Sequence, residues 1–119
     1  MIDKSVVQVC KSRLLEVRAD LLNRMQTHRM EFHERETGGD EADQTVSIIQ
    51  ENHMFISQQR MRHQLMEVEL ALSRIEKGVF GTCEETLEPI ETERLLAIPW
   101  TRLSIEGAEI REQQNQRRA

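Results

Sequence analysis

Residues 53–80 decide the fold and read HMFISQQRMRHQLMEVELALSRIEKGVF. Their seam residues, apolar except for one glutamine, recur at alternating steps of four and three: Met54, Gln58, Met61, Leu65, Val68, Leu72, Ile75 and Val79. A heptad repeat of this kind buries one narrow stripe of a helix against a partner helix. The stretch is therefore predicted to be one long helix of a coiled coil.

The first third of the chain supplies a matching partner. Its apolar residues follow the same alternation: Val7, Cys10, Leu14, Val17 and Leu21. Between the two runs, Gly38-Gly39 breaks the helix and allows a tight reversal of the chain. A turn at this place brings four pairs into register: Val7 with Leu72, Cys10 with Val68, Leu14 with Leu65, and Val17 with Met61. The two runs are predicted to form an antiparallel coiled-coil hairpin.

The composition suits a helical protein without a large globular core. The chain has 119 residues, of which 38% are hydrophobic and 31% are charged, with one Trp, three Phe and no Tyr. This length is one domain's worth of sequence, and the high charge suits long helices with solvated outer faces. We expect a mainly α-helical monomer with the hairpin over residues 1–79, its tip over residues 37–45, and a small head over residues 80–119.

Charge and hydropathy argue against several classes of protein. The formal net charge is -5, and the basic residues are scattered along the predicted helices, apart from Arg117-Arg118. This distribution disfavours direct DNA binding through phosphate contacts. No apolar run is long enough to span a membrane, and no signal peptide is apparent. Because Cys10 and Cys83 lie on different elements, a disulfide scaffold is not expected, and the cytoplasm is the predicted compartment.

Local signals predict the ends of the two long helices. Ser5 and Gln8 have the spacing of a capping box, so the first helix is predicted to begin near Ser5 and to run to about Glu36. The second helix is predicted to end at Gly78, a C-cap residue that follows Lys77 in the last turn.

Near the predicted tip the heptad pattern weakens. Arg24 and His28 occupy the positions that continue the seam of the first helix, while Val46, Ile49 and Ile56 lie on a different face of the second helix. Either these apolar residues form a shifted local core, or they are held for a partner. The sequence leaves both interpretations open.

The last forty or so residues are too few for an independent core, so the head is predicted to pack on the base of the hairpin. A short helix is predicted over residues 92–97. Ser104 is predicted to cap a last helix, with Glu106 in its first turn. The candidate core residues of the head are Leu87, Ile90, Leu95, Leu96, Trp100, Leu103 and Ile105.

Two carboxylates, Asp40 and Asp43, stand at the start of the second helix. A purely structural explanation is available, because an N-cap and a first-turn position both favour acidic side chains. The alternative is functional: the pair stands at the end of a rod roughly 50 Å long, from where it could reach a cation or a basic loop inside a channel. Spacing alone does not decide between them.

Residues 71–112, ALSRIEKGVFGTCEETLEPIETERLLAIPWTRLSIEGAEIRE, carry a longer motif. The run resembles the zinc-finger head of the DksA/TraR family of RNA polymerase regulators. The matching elements are Ala71-Leu72, Arg74-Ile75, Gly78, Phe80-Gly81, Cys83, Glu88-Pro89-Ile90, Arg94-Leu95, Ala97 and Pro99. The hairpin and its Asp-x-x-Asp tip fit as well. The resemblance implies a hairpin that enters the secondary channel of RNA polymerase and a head that docks on the outer rim.

The chain departs from the family at the zinc site. The family holds a structural zinc with two Cys-x-x-Cys pairs, and these positions fall here on Cys83, Thr86, Ser104 and Gly107. One thiol of four is kept, and no His lies in the head to replace the others. We therefore expect no metal and no other cofactor, a head held by apolar packing, and a Cys83 that is a small buried residue rather than a redox centre.

The tip and the surface of the hairpin keep part of the family pattern. Asp40 and Asp43 match the two tip acids, whereas Thr45 replaces a small residue, which puts full tip activity in question. Arg60 matches a basic residue that family members use against the polymerase.

The positions that supply cations to the family's site for the alarmone ppGpp also depart from the pattern. They fall here on Glu67, Ile98 and Ala108, none of which can pair with a pyrophosphate group. The resemblance therefore implies action without ppGpp.

Two functions remain in competition. The first is a zinc-free transcription regulator whose tip acids, Asp40 and Asp43, act by electrostatics near the active centre of the polymerase. The second is a coiled-coil interaction module that has kept the scaffold and lost that activity. An enzyme is not expected, because the sequence offers no phosphate loop, no nucleophile with its base and no cluster of metal ligands.

Overall fold

Four α-helices make up most of the described chain, which is mainly α as predicted. The computed structural model describes the backbone of residues 2–35 and 41–118 and the side chains of residues 2–31 and 45–118. The helices are α1 (Lys4–Arg35), α2 (Glu41–Lys77), α3 (Thr92–Ala97) and α4 (Ile105–Arg118). Over the described ranges, extended pairing is limited to one isolated antiparallel bridge, between Thr82 and Pro89. None of the described helices combines the length and apolar character that a membrane span needs.

The ends of the helices follow from local chemistry. At the start of α1, Asp3 rather than Ser5 is the cap, since its Oδ1 accepts the N–H of Ser5 at 3.1 Å. At the end of α2, Gly78 has φ 74°, and the N–H of Val79 donates to the carbonyl of Arg74 at 3.0 Å. This is a Schellman C-cap, which confirms the predicted end of the helix. Val79 was predicted to continue the seam but is exposed, because the helix has ended before it.

The first compact unit contains residues 1–17 and 67–119. Its core holds residues from the start of α1 and from the head: Cys10, Phe80, Cys83, Ile90 and Leu95. Partly buried residues of α1 and α2 pack against this cluster, among them Val7 and Ile75. The beginning of α1 and the end of α2 therefore share one core with the head.

The second compact unit contains residues 18–66 and includes the later part of α1 and the earlier part of α2. Leu21 and Met61 are buried in it, and the side-chain amide of Gln58 donates to the carbonyl of Met25 at 3.2 Å. Because the late part of α1 meets the early part of α2 here, and the reverse holds in the first unit, the two helices are antiparallel.

The apolar residues near the tip do not form the shifted local core that the sequence allowed. Val46, Ile49 and Ile56 are each about half exposed on α2. Arg24, which occupies a seam position by spacing, is exposed and pairs with Asp20 at 3.1 Å. Met25 is half-buried and takes the place of Arg24 in the seam, while His28 is half-buried at the seam position predicted for it.

The core of the head is smaller than predicted. Ile90 and Leu95 are buried, and Trp100 and Leu103 are half-buried, as expected. Three other predicted core residues are exposed, namely Leu87, Leu96 and Ile105. Leu87 is 77% exposed because it occupies the left-handed position of a turn, with φ 61°. The missing apolar surface comes from Phe80, at the start of the head, and from Cys10 of α1, so α1 completes the core of the head.

Candidate functional site

The predicted site residues fall into two groups, those of the hairpin and those at the predicted zinc positions in the head. Thr45 and Arg60 both lie on the surface of α2. The tip acids Asp40 and Asp43 lie outside the residues whose side chains are described. The roles predicted for these four residues remain predictions.

A tight turn after Cys83 forms the first half of the cluster at the predicted zinc positions. The N–H of Leu87 donates to the carbonyl of Cys83 at 2.9 Å, and the N–H of Cys83 donates to the carbonyl of Glu88 at 2.8 Å. The N–H of Ile90 donates to the carbonyl of Gly81 at 2.8 Å and closes the base of the turn. The turn directs the N–H of Thr86 at the sulfur of Cys83, with a distance of 3.5 Å.

The start of α4 supplies the second half of the cluster. Ser104 is the N-cap, because its Oγ accepts the N–H of Gly107 at 3.0 Å, as predicted. The same hydroxyl donates to the Sγ of Cys83 at 3.4 Å. The four positions 83, 86, 104 and 107 therefore meet in one buried cluster held by hydrogen bonds.

This cluster does not fit a structural zinc. A zinc of that kind needs four strong ligands in a tetrahedron, and Cys83 is the only sulfur donor at these positions. At Gly107 the donor is missing and the space is occupied: a Cβ placed there would lie 2.4 Å from the Sγ of Cys83. Within the described ranges, no group of three His, Cys, Asp or Glu side chains could hold a metal ion.

The hydrogen bonds of the cluster also act on the ionisation of Cys83. Burial raises the pKa of this thiol, but hydrogen bonds from Ser104 and Thr86 favour the thiolate more strongly and lower the pKa to about 6. The side chain is nevertheless fully buried. Cys10 differs, because burial raises its pKa and its Sγ donates to the carbonyl of Leu95 at 3.5 Å.

A chain of charged side chains fastens the head to α2 and joins α4 to the turn after Cys83 within the head. The guanidinium of Arg102 donates twice to the carboxylate of Glu67, once from Nε at 3.0 Å, and lies 3.9 Å from the carboxylate of Glu84. Arg111 bonds Glu84 at 3.3 Å and Glu85 at 3.1 Å. The hydrogen bonds with Glu67 raise the pKa of Arg102 further. The head is therefore stabilised by ion pairs as well as by its small apolar core.

Glu67 is one of the three positions at which the chain is predicted to lack a cation for ppGpp. Its carboxylate is bound instead by Arg102 of the same chain. Its side chain is only 12% exposed. Ile98 and Ala108, the other two positions, are half-buried.

Sequence reasoning missed several of these contacts. Arg102 and Arg111 have no periodic signal, because their partners lie far away in the sequence. Arg13, which looks like ordinary solvated surface of α1, donates a hydrogen bond to the carbonyl of Leu96. The sequence holds only a general signal of these pairs, because the adjacent acids Glu84-Glu85 favour basic partners without indicating which ones.

The chain is similar in sequence to several known proteins. No family model matches the chain. An uncharacterized protein of Aquifex aeolicus is 32% identical over 114 residues, which cover 90% of this chain and 77% of the relative. The RNA polymerase-binding transcription factor DksA of Caulobacter vibrioides is 37% identical over 76 residues, which cover 64% of this chain and 54% of the relative.

Among solved structures, transcription factor DksA2 from Pseudomonas aeruginosa superimposes with a TM-score of 0.88 at 31% identity. The match covers 96% of this chain and 88% of that one. A likeness of this extent includes both long helices and the head.

Proposed function

The chain belongs to the DksA/TraR family, which is a family of transcription factors and not of enzymes, and on that premise we propose that it binds bacterial RNA polymerase and regulates transcription. The observation that carries the proposal is the agreement with DksA2 over 96% of the chain, since it includes the hairpin and the head together. A cytoplasmic location follows from this role.

In the proposed mechanism the hairpin and the head divide the work. The hairpin, residues 1–79, enters the secondary channel of the polymerase, and the head, residues 80–119, docks on the outer rim. Asp40 and Asp43 then act near the active centre by their charge, and Arg60 contacts the polymerase from the surface of α2. The exposure of Arg60 supports this role, because its guanidinium is available to a partner.

We also propose that the protein acts without zinc and without ppGpp. The crowded, single-thiol cluster around Cys83 supports the absence of zinc. The carboxylate of Glu67 supports independence from ppGpp, because it is committed to Arg102 and would repel a phosphate. Losing two or three charge-assisted contacts would weaken binding of the alarmone by about two orders of magnitude or more.

The second candidate, a coiled-coil module without effect on the polymerase, is favoured by one observation. Val46, Ile49 and Ile56 are exposed near the tip, and a partner helix could cover them. The two candidates make opposite predictions about polymerase binding.

Core RNA polymerase should therefore be captured with the tagged full chain, in competition with a known secondary-channel factor. We expect the chain to capture the polymerase stoichiometrically and the competitor to displace it. Capture that fails, or that the competitor does not affect, would favour the interaction module.

The role of the tip is tested by Asp43→Asn, which preserves hydrogen bonding and removes the charge. We expect polymerase binding to persist while the effect on a sensitive promoter in vitro drops sharply. An unchanged effect would leave the acids as helix caps alone.

The same transcription assay tests independence from ppGpp, with a polymerase that lacks its own separate ppGpp site. The factor should act equally with and without the alarmone. An enhancement by ppGpp would contradict the charge argument at Glu67.

A further inference from the structure

Between residues 45 and 66, helix α2 carries apolar side chains on two sides. One side is the seam, where Met61 is buried and Met54 and Gln58 are half-buried. The other side holds five large apolar residues, each of which is between 48% and 64% exposed. We call these five residues the outer face of α2: Ile48, Ile49, Phe55, Ile56 and Met66.

The outer face is continuous along the helix. At about 100° per residue, its members fall within roughly 120° of the helix circumference, on the side away from the seam. From position 48 to position 66 they extend over roughly 27 Å of helix. The side of a helix that faces water normally carries polar residues, whereas an apolar patch of this extent marks an interaction surface. We therefore expect another molecule to cover the outer face.

Two charged residues at one edge of the outer face indicate which molecule covers it. Glu51 and Arg62 border the same groove beside α1, so they lie on the same edge. They are eleven positions apart, or roughly 16 Å along the helix, which is too far for a salt bridge within one chain. Among the residues whose side chains the structure describes, neither has an ion-pair partner. Each charge is thus available to an opposite charge on another molecule.

The outer face is complementary to itself when a second copy lies antiparallel to it. A two-fold axis midway between Glu51 and Arg62 brings Glu51 of each copy level with Arg62 of the other. Phe55 and Ile56 then lie beside the axis and meet the same residues of the second copy. Met66 of each copy lies level with the apolar start of the other face. A parallel arrangement would instead place like charges opposite each other, which is unfavourable.

We propose that two copies of the chain pair through the outer faces of their α2 helices, in antiparallel orientation, and form a reversible dimer. The interface is isologous, which means that both copies use the same surface. Each copy offers the five apolar residues and the two charged ones, fewer than the roughly 20–30 residues a side of a stable interface, so the dimer is weak and depends on concentration. The inference is independent of the proposed function, and it replaces the monomer that was expected from the sequence.

The first test measures self-association of the full chain by analytical ultracentrifugation, from micromolar to millimolar concentrations. The wild type should shift from monomer to dimer as its concentration rises. Phe55→Ala should weaken association about thirtyfold or more, as for an aromatic hot spot that occurs twice in the interface. The matched control is Met30→Ala, since Met30 is 62% exposed on α1, and it should stay within about twofold of the wild type. Circular dichroism verifies that each variant keeps its helices.

The second test exchanges the charges and reports on the orientation of the two helices. Glu51→Arg and Arg62→Glu should each weaken association about tenfold or more, because two attractive contacts become repulsive. Lys11→Glu makes the same change in charge on the exposed surface of α1 and should have little effect. An equimolar mixture of Glu51→Arg and Arg62→Glu should associate again, to within about threefold of the wild type. In the mixed dimer, the introduced charges meet each other and the two remaining native charges meet as well.

Three results would overturn the proposal. The first is a wild type that stays monomeric at every concentration. The second is a dimer that Phe55→Ala weakens no more than Met30→Ala does, because another surface would then form it. The third is a mixture of the two charge variants that associates no better than either variant alone, because the helices would then not be antiparallel in this register. Capture of RNA polymerase is measured separately, so failure of the dimer leaves the proposed function standing.

Discussion

Replacement of Leu95 by alanine tests how the head is held together without a metal. Leu95 is 0% exposed and lies on α3, in the cluster with Cys10, Phe80, Cys83 and Ile90. Truncation of a fully buried leucine removes its transfer free energy and leaves a cavity, which together cost about 3–5 kcal/mol. Since a domain is usually stable by only about 5–15 kcal/mol, a large share of the stability would be lost.

The assay is equilibrium unfolding in urea, followed by two probes. Fluorescence reports on Trp100, the single tryptophan, which is half-buried in the head. Far-ultraviolet circular dichroism reports on the long helices α1 and α2. Leu87→Ala is the matched control, because the same change at a side chain that is 77% exposed should cost less than about 0.5 kcal/mol.

The same experiment is repeated after treatment with a strong chelator. We expect the unfolding midpoint of the wild type to stay unchanged, because the cluster at Cys83 does not fit zinc. A lowered midpoint with the chelator would refute this reasoning. The reasoning would also be refuted if Leu95→Ala lowered the free energy of unfolding no more than Leu87→Ala does.

Two further predictions concern the ionised group of Cys83 in the head and the ion pair that joins the head to α2. Because the folded state lowers the pKa of Cys83 to about 6, stability from this thiolate is fully present above about pH 8.5 and is lost as the pH falls through about 6. As the pH rises from about 6 to about 8.5, the free energy of unfolding of the wild type should therefore increase by up to about 3 kcal/mol relative to that of Cys83→Ala. Parallel curves of unfolding free energy against pH for the two proteins would contradict the prediction. Glu67→Gln should destabilise the head by about 1–2 kcal/mol, because Arg102 loses a charged acceptor, whereas Glu76→Gln on the exposed side of α2 should change little. Equal effects of the two changes in urea unfolding would show that the Glu67–Arg102 pair is not stabilising.

The long helices were predictable because their signals are local. The heptad residues Cys10, Leu14, Leu21, Met61 and Val68 are all buried, as the pattern requires. The helix ends depend on one or two residues each, which is why Gly78 and Ser104 were identified from sequence alone.

The packing of the head was only partly predictable, because it depends on contacts between distant residues. Hydrophobicity alone suggested that Leu87 and Ile105 are buried. A positive φ turns Leu87 outward, and the Ser104 cap leaves Ile105 on the outer side of the first turn of α4. Cys10 completes this core from α1, and Phe80 completes it from the first position of the head.

The candidate sites show the same limit. The resemblance identified Cys83, Thr86, Ser104 and Gly107 as corresponding positions, and the structure brings them together. The resemblance could not predict that the sulfur of Cys83 occupies the space beside Gly107. The outer face of α2 could not be assigned from sequence either, because an apolar residue outside the seam fits a local core as well as an exposed surface.

In the proposed function, the hairpin tip reaches the active centre of RNA polymerase. This placement is tested directly by replacing the catalytic Mg²⁺ of the polymerase with Fe²⁺, which generates hydroxyl radicals that cut protein close to the metal. With end-labelled protein bound, we expect cuts confined to the region around residues 40–45. Cuts in the head alone, or no cuts in a complex shown to be saturated, would contradict it.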